Sequence, residues 1–219
     1  MSSYDAVIFD NDGVLTQLTA GELVEEAVRE TLAAVGVDSP RERDVEALYG
    51  HDPAAVREVC EAYDLDPESV WRLRERKASR AQQAAMRAGD KPLYEDVTAV
   101  RSLDAGKGLV SNNQHETVEF VLSHFGLADQ FQCCYGREPT LDGVGRMKPE
   151  PYYLQRAIED LGCERALYVG DSECDVRVAR RSGIDSAFLR RSHRRDYDLA
   201  VDPTYEVESL HALVDRVSE

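Results

Sequence analysis

The sequence predicts an α/β fold: a core parallel β-sheet covered by helices on both faces, with an inserted all-helical cap. Short apolar segments alternate with segments of helical periodicity along most of the chain, a pattern typical of parallel sheets. A block of consecutive helices interrupts this alternation after the first strand. Four short polar motifs stand at or just after predicted strands, which is where open α/β sheets bind ligands.

The core strands are predicted from apolar runs, and the core helices from apolar spacing with proline at their start or glycine at their end. Glycines follow three of the helices, and Pro151 opens the second of them. We expect strands at residues 6–9, 107–111, 131–135, 166–169 and 186–189. We expect helices at residues 115–125, 151–161, 175–181 and 207–217.

The helical block shows no convincing strand between the first two core strands. Its apolar spacing predicts helices at residues 22–35, 41–49, 53–63 and 67–88, separated by glycine- and proline-containing breaks. We therefore expect an α/β core domain made of residues 1–17 and 93–219, and a helical cap domain made of residues 18–92.

Composition excludes several classes of protein. The chain has 219 residues, 42% of them hydrophobic, and a formal net charge of −16. Without a long basic run, nucleic acid is not an expected partner, and anionic membranes should be repelled. There is neither an 18-residue apolar stretch nor a basic, apolar leader after Met1, so we expect no membrane span and no signal peptide. The five cysteines form no C-x-x-C pair, which favours a reducing cytoplasm over a zinc site.

The basic residues have an unusual composition, because only four of the 26 are lysine. An excess of acid with scarce lysine is typical of a halophilic protein, since concentrated salt screens the self-repulsion. An acidic protein from a mesophile with a GC-rich genome is the alternative.

The first polar motif is Asp10-Asn11-Asp12-Gly13, directly after the first strand. In extended backbone the two aspartates lie on one side and Asn11 on the other. If the chain turns at Gly13, both carboxylates and the N–H groups around Asn11, Asp12 and Gly13 surround one point. Such a concavity suits a phosphate and a divalent cation.

The other three motifs add acids, a lysine and neutral donors at the same edge of the sheet. They are Ser111-Asn112-Asn113, Lys148-Pro149-Glu150-Pro151 and Gly170-Asp171-Ser172-Glu173-Cys174-Asp175. So many carboxylates in one small site require a cation, and hard oxygen ligands favour Mg²⁺. Lys148 can neutralise a phosphate, with Ser111 and Asn112 as further donors. A carboxylate in line with phosphorus can attack it, and a second acid can move the protons.

In this order, the motifs D-x-D-G-V, S-N-N, K-P-E-P and G-D-S-x-x-D closely resemble those of the haloacid dehalogenase superfamily. The helical insert resembles the C1-type cap of the subfamily that includes phosphoglycolate phosphatase and β-phosphoglucomutase. The resemblance implies a Rossmann-like core, a Mg²⁺ cofactor and phosphoryl transfer through an aspartyl phosphate. An acid at Asp12 favours phosphoryl transfer over dehalogenation, since the dehalogenases proper do not need one there.

The resemblance also implies roles for individual residues. Asp10 would be the nucleophile and a metal ligand, and Asp12 the general acid/base with its backbone carbonyl on the metal. Asp171 would ligate the metal directly. Asp175 would ligate it directly or through water, or would instead cap the following helix. The transferring phosphoryl group would be bound by Ser111 and Lys148, helped by Asn112.

The implied function is a Mg²⁺-dependent phosphatase acting on a small phosphorylated metabolite resembling phosphoglycolate or a sugar phosphate. The alternatives are a phosphomutase and, from another class, a non-catalytic phosphate-binding protein. Glu22 occupies the position where β-phosphoglucomutases commonly carry a histidine, which disfavours the mutase. Oligomeric state stays open.

The predicted cap offers two candidate features for substrate specificity. One is the turn containing Gly50 and His51, which could reach the site or simply link two helices. The other is Arg76, in a row of arginines at helical spacing, which could contact an anionic leaving group or pair with surface acids.

Overall fold

The computed structural model describes residues 4–218; Met1–Ser3, on which the leader expectation partly rests, lie outside them. The chain begins with β1 and the four helices of the insert: β1 (Ala6–Phe9), α1 (Gly21–Ala34), α2 (Glu42–Tyr49), α3 (Pro53–Ala62) and α4 (Pro67–Ala88). It continues with β2 (Gly106–Gln114), α5 (His115–His124), β3 (Cys133–Arg137), α6 (Leu141–Gly145), α7 (Tyr152–Leu161), β4 (Ala166–Gly170), α8 (Glu173–Ser182), β5 (Asp185–Leu189), β6 (Tyr205–Val207) and α9 (Leu210–Ser218). Short 3₁₀ helices occupy Glu95–Ser102, Ala128–Gln130 and Ser192–Arg194.

The six strands form one parallel sheet in the order β3-β2-β1-β4-β5-β6, which confirms the predicted fold class. In the centre, Ala6 of β1 pairs with Gly106 of β2 on one side and with Ala166 of β4 on the other. The strand order therefore reverses beside β1, and a crevice at such a reversal is where this class of sheet binds ligands.

Alternating side chains of the central strands enter two separate apolar clusters, one on each face of the sheet. In β1, Val7 and Phe9 belong to one cluster and Ile8 to the other. The same alternation places Val169 of β4 on the first face and Tyr168 on the second. Helices cover both faces, so these strands are continuously apolar rather than alternating with polar residues.

The four helices α1–α4 have an apolar cluster of their own, centred on residues such as Leu32, Val56 and Trp71. Leu141 and Val144 of α6 also belong to this cluster. A segment that follows β3 in the core therefore packs onto the insert. The division into a core domain and a cap domain at residues 17/18 and 92/93 stays a prediction.

The sequence missed two elements, α6 and β6. The five residues of α6 include two glycines, too short and too irregular a pattern for apolar periodicity to register. The Thr140 hydroxyl accepts a hydrogen bond from the Gly143 N–H at 3.0 Å and caps this helix. β6 has three residues at the edge of the sheet, and we expected its last residue, Val207, to start the final helix. That helix instead begins at Leu210.

No helix within residues 4–218 combines the length and apolar character needed to cross a bilayer.

An ion pair between Arg191 and Asp96 fastens the loop after β5 to the 3₁₀ helix before β2. The guanidinium contacts the carboxylate at 2.7 and 2.9 Å and also donates to the carbonyl of Val14, in the turn after β1. Asp96 accepts a further hydrogen bond from the Leu210 N–H at 2.9 Å. Burial alone would raise the pKa of Asp96, but the hydrogen bonds from Arg191 and Leu210 outweigh it and leave the pKa below its usual value.

We expect Asp96→Asn to destabilise the fold by about 2 kcal/mol at neutral pH, because it leaves the largely buried Arg191 without its charge partner. A lowered folded-state pKa contributes stability that is present above the unfolded-state pKa and is lost as pH falls through the folded-state value. Urea unfolding at neutral and acidic pH should show the difference between variant and parent shrink below about pH 4. The exposed Asp38→Asn variant is the control, and its free energy of unfolding should differ little from that of the parent. A loss of stability in Asp96→Asn that is the same at neutral and acidic pH would contradict the ion-pair explanation.

Candidate active site

The turn after β1 is held by one backbone carbonyl. The Asn11 carbonyl accepts hydrogen bonds from the N–H groups of Val14, Leu15 and Thr16 at 2.8–3.1 Å. The Gly13 N–H donates to the Thr16 carbonyl at 2.8 Å. The N–H of Gly13 is thus used inside the turn, which corrects the expectation that it faces a phosphate; the concavity is left with the N–H groups of Asn11 and Asp12.

Gly13 is required for two reasons. Its φ is +82°, in the left-handed region that side chains disfavour, and a Cβ at this position would lie 2.5 Å from Oδ2 of Asp171. The turn after β1 and the carboxylate after β4 therefore touch directly. This close approach brings the first and fourth motifs into one site.

Three carboxylates and one lysine form the centre of the site. Oxygens of Asp10, Asp171 and Asp175 lie within 4.8 Å of one another, and all three residues are buried. The Nζ of Lys148 lies 2.7 Å from Asp175 Oδ1 and 2.9 Å from Asp10 Oδ1. It also donates to the hydroxyl of Tyr168 at 2.8 Å. The predicted motif residues Asp10, Lys148, Asp171 and Asp175 are thus brought together.

The negative charge in this cluster exceeds what Lys148 balances. Burial removes water from the Lys148 ammonium and by itself would lower its pKa. The negative charges of Asp10 and Asp175 outweigh this effect and raise the pKa well above its usual value. For Asp10, burial outweighs the attraction of Lys148, and the charges of Asp175 and Asp171 add to it, so the pKa rises to about 7. Asp10 Oδ1 has the ion-pair contact with Lys148 but no well-directed hydrogen bond.

A hard divalent cation fits this set of residues. The candidate ligand atoms are the carboxylate oxygens of Asp10, Asp171 and Asp175, and Asp10 Oδ1 has no hydrogen-bond partner. Among the described residues, this group of candidate ligands contains no histidine or cysteine. Oxygen-only ligands of this kind suit Mg²⁺ better than zinc.

Asp175 has the capping role that the sequence left as one of two alternatives, and its role as a metal ligand stays a prediction. Its Oδ2 accepts hydrogen bonds from the backbone N–H and the hydroxyl of Ser172, which caps α8. Its other oxygen faces Lys148 at 2.7 Å. Helix capping therefore fixes the carboxylate and aims one oxygen at the charged cluster.

Two basic residues that the sequence reasoning missed contact Asp171. Nε2 of His193 lies 2.7 Å from Asp171 Oδ2, and Nε of Arg194 lies 3.2 Å from the same oxygen. Both residues belong to the 3₁₀ helix after β5. The signal available was the local run Arg190-Arg191-Ser192-His193-Arg194-Arg195 in an otherwise acidic chain.

The Asp12 carboxylate points away from Lys148, toward the helical insert. It accepts hydrogen bonds from Lys91 Nζ at 2.5 Å and from the Asn113 amide at 2.9 Å. The side chains of Asn11, Thr16 and Thr19 complete its shell of donors at 2.8–3.2 Å. Lys91 was also missed, although it is one of only four lysines in the chain.

Ser111 and Asn112 both line the cleft, but their side chains differ in the hydrogen bonds that they already make within the protein. The Asn112 side chain accepts from the backbone N–H of Lys148 at 2.7 Å and donates to its carbonyl at 3.1 Å. The amide thus clamps the backbone of the lysine. The Ser111 hydroxyl is buried and accepts from the N–H of Asn113 at 3.2 Å. Asn112 is therefore better suited to positioning Lys148 than to binding a phosphate itself.

The cleft above these residues has a volume of about 350 Å³ and is lined by both the core and the helical insert. His51 of the expected specificity turn lines it, whereas Gly50 and Arg76 do not. Arg76 is exposed on the outer face of α4. The arginine of α4 that lines the cleft is instead Arg74. It lies two residues before Arg76 and therefore on nearly the opposite face of the helix, since an α-helix turns about 200° over two residues.

Arg74 belongs to a buried charged cluster between the insert and the core. Glu75 of α4 contacts Arg74 at 2.5 Å and forms a two-pronged ion pair with Arg137 of β3, at 2.9 Å on both oxygens. Arg74 also donates to the carbonyls of Leu48 and Tyr49. This cluster joins α4, the end of α2 and the sheet.

The neighbouring His51 is affected by these charges. It keeps solvent access, but loss of hydration at the cleft wall and the charges of Arg137 and Arg74 lower its pKa below the usual value. A neutral imidazole therefore faces the cleft at physiological pH.

A haloacid dehalogenase-like hydrolase family model matches residues 4–183. Since this covers most of the chain, the protein belongs to the haloacid dehalogenase-like hydrolases, which confirms the resemblance read from the motifs and makes it an enzyme of the hydrolase class.

Relatives include a pyrophosphatase PpaX of Halalkalibacterium halodurans, 29% identical over 70% of this chain and 72% of the relative. A phosphoglycolate phosphatase of Vibrio cholerae is 27% identical over 99% and 98% of the two chains. Among solved structures, CbbY from Rhodobacter sphaeroides in complex with phosphate superposes with a TM-score of 0.72 at 21% identity, covering 99% of this chain and 100% of that one. At that identity, the likeness concerns the fold.

We expect Gly13→Ala to lower turnover by about 100-fold, because its Cβ would displace Asp171 by a fraction of an ångström to an ångström. Gly36→Ala is a matched control: its φ is +90°, and a Cβ there meets nothing within 4 Å. Both variants should lose about 1–2 kcal/mol from backbone strain, measured by thermal unfolding. Gly36→Ala should keep its activity, and equal activity in both variants would contradict the contact between Gly13 and Asp171.

Proposed function

We propose that the protein is a Mg²⁺-dependent phosphatase that hydrolyses a small phosphorylated metabolite through an aspartyl phosphate on Asp10. The observation that carries the proposal is the buried cluster of Asp10, Asp171 and Asp175 around Lys148 at the reversal of the strand order. Phosphatases and pyrophosphatases among the relatives support the reaction class.

In the first half-reaction, a carboxylate oxygen of Asp10 attacks phosphorus and the bond from phosphorus to the leaving oxygen breaks. Lys148 would balance the charge on the phosphoryl oxygens, and the Ser111 hydroxyl would donate a hydrogen bond to one of them. Asp12 would donate a proton to the leaving oxygen. The clamp of Asn112 on the Lys148 backbone keeps the ammonium facing Asp10.

In the second half-reaction, Asp12 would accept a proton from water as that water attacks the phosphorus. The bond from phosphorus to Asp10 breaks, releasing phosphate and restoring the carboxylate. Asp10, Asp171, Asp175 and the backbone carbonyl of Asp12 would hold Mg²⁺, which when bound neutralises the phosphoryl group and the surplus carboxylate charge.

The cleft supports a small substrate with both polar and apolar parts. Among the large apolar residues of the described chain, Leu18 and Tyr49 are the exposed ones, at 46% and 41%, and both line the cleft. Exposed apolar side chains beside a catalytic cluster commonly mark a binding surface. Phosphoglycolate and sugar phosphates are the substrates to test first. Closure of a helical cap of residues 18–92 would exclude bulk water.

We expect Asp10→Asn to reduce hydrolysis of an aryl phosphate by at least about 10³-fold, because an amide cannot form the phosphoenzyme. EDTA should abolish the activity of the parent enzyme, and added Mg²⁺ should restore it. The exposed Asp129→Asn serves as the control and should retain full turnover.

Turnover is measured as inorganic phosphate release across a panel of phosphorylated metabolites. An Asp10→Asn enzyme with most of its activity would refute the aspartyl-phosphate mechanism. Bisphosphate-stimulated isomerisation with little phosphate release would identify the mutase alternative, and Mg²⁺ binding without any turnover would identify a phosphate-binding protein.

We further propose that the enzyme is adapted to high salt, on the basis of the net charge of −16 and the scarcity of lysine, and that it is cytoplasmic, on the basis of five cysteines that form no C-x-x-C pair. The melting temperature should rise by about 5 °C or more from low salt to molar KCl, because salt screens the repulsion among surface acids. A melting temperature indifferent to KCl concentration would count against the halophilic interpretation.

A further inference from the structure

The two chain segments that connect the helical insert to the core run side by side, and Lys91 lies on the second of them. The Gln17 N–H donates to the Pro92 carbonyl at 3.0 Å, and the Tyr94 N–H donates to the Leu15 carbonyl at 2.9 Å. Lys91 is 2% exposed. A lysine so deeply buried needs partners that repay its lost hydration.

The ammonium of Lys91 has three donors, and the structure offers three acceptors. These are Asp12 Oδ1 at 2.5 Å, Thr19 Oγ1 at 2.6 Å and Gln82 Oε1 at 3.0 Å. They come from the turn after β1, the first connection and α4. Lys91 therefore connects Asp12 both to the first connecting segment, through Thr19, and to α4 of the helical insert, through Gln82.

Gln82 extends this network across to the end of β2. Its Oε1 also accepts from the Asn113 amide at 2.7 Å. The single proton of the Thr19 hydroxyl is available to this oxygen at 2.8 Å or to Asp12 Oδ2 at 3.2 Å. Its Nε2 donates to Asn113 Oδ1 and Gln114 Oε1, both at 2.9 Å. Asn113 in turn donates to Asp12 Oδ2 at 2.9 Å. Each oxygen of Asp12 is thus held by a group that also contacts Gln82.

The identity of the residue matters in this arrangement. A compact ammonium satisfies three acceptors that diverge from one point, whereas a planar guanidinium needs a wider, forked site. The chain uses arginine for 22 of its 26 basic residues, yet keeps lysine here. Without Lys91, the Asp12 carboxylate would be held by neutral donors alone and would lose its charge partner.

We propose that Lys91, supported by Gln82, is a positioning residue for Asp12: it fixes the carboxylate in the orientation needed for proton transfer and links that orientation to the position of the helical insert. The proposal rests on the proposed function, in which Asp12 serves both half-reactions. It assigns Lys91 no contact with the substrate phosphate, a role left to Lys148.

The two half-reactions allow a sharp test with Lys91→Met. An aryl leaving group departs without a proton, so the variant should still release about one equivalent of p-nitrophenol per enzyme in a rapid burst. Hydrolysis of the phosphoenzyme needs Asp12 as base, so the following steady-state rate should fall about 100-fold. With an alkyl phosphate, whose leaving oxygen needs a proton, turnover should fall by about as much and no burst should appear.

Lys107→Met is the matched control, since Lys107 is also buried but donates to the carbonyls of Leu103 and Ala105, outside the site. It should keep parental kinetics on both substrates. Gln82→Met, which removes the support while leaving Lys91, should slow the steady state about 10-fold with the same burst. That second variant keeps the test decisive if Lys91→Met does not fold.

Parental kinetics in Lys91→Met, or in Gln82→Met if the former does not fold, would overturn the positioning role alone. Loss of the burst in a folded Lys91→Met enzyme would also overturn it, because Lys91 would then act in phosphoryl transfer to Asp10. An inactive parent enzyme, or one that forms no phosphoenzyme, would instead refute the proposed function.

Discussion

The ion pairs of Lys148 with Asp10 and Asp175 are the contacts on which the rest of the site depends. Three buried carboxylates lie around the Lys148 ammonium, with Arg194 as a second cation on Asp171, and a bound divalent cation would reduce the repulsion that remains among them. Each member is fixed independently: Asp175 by the cap of α8, Lys148 by Asn112, and Asp171 by its contacts with His193 and Arg194.

A second constraint is the set of buried polar contacts between the helical insert and the sheet. Buried Glu75 bridges Arg74 of the same helix and Arg137 of β3, and Gln82, about two turns further along, contacts Asn113. The acid/base candidate Asp12 lies beside these contacts, since it accepts hydrogen bonds from Lys91 and Asn113.

The sheet and most of the site could be predicted because local signals sufficed. Apolar runs, helix-ending glycines and the four motifs lie within short stretches, and the parallel order then brings their ends to one edge. The groups that were missed act over long sequence distances. Lys91 is 79 residues from Asp12, and His193 is 22 residues from Asp171. A local signal such as the basic run around His193 does not say which remote carboxylate it meets. In the same way, helical spacing alone does not say whether Arg74 or Arg76 faces inward.

The sequence by itself determined the class of chemistry, since residue types and their order after strands define which groups meet at the crevice. Tertiary structure alone decided how those groups are oriented. It placed Lys91 against Asp12, engaged the Asn112 amide with the backbone of Lys148, and used the Gly13 N–H within its own turn. The physical reason is that a hydrogen bond depends on distance and direction to within fractions of an ångström, and those are set by packing between segments remote in the chain.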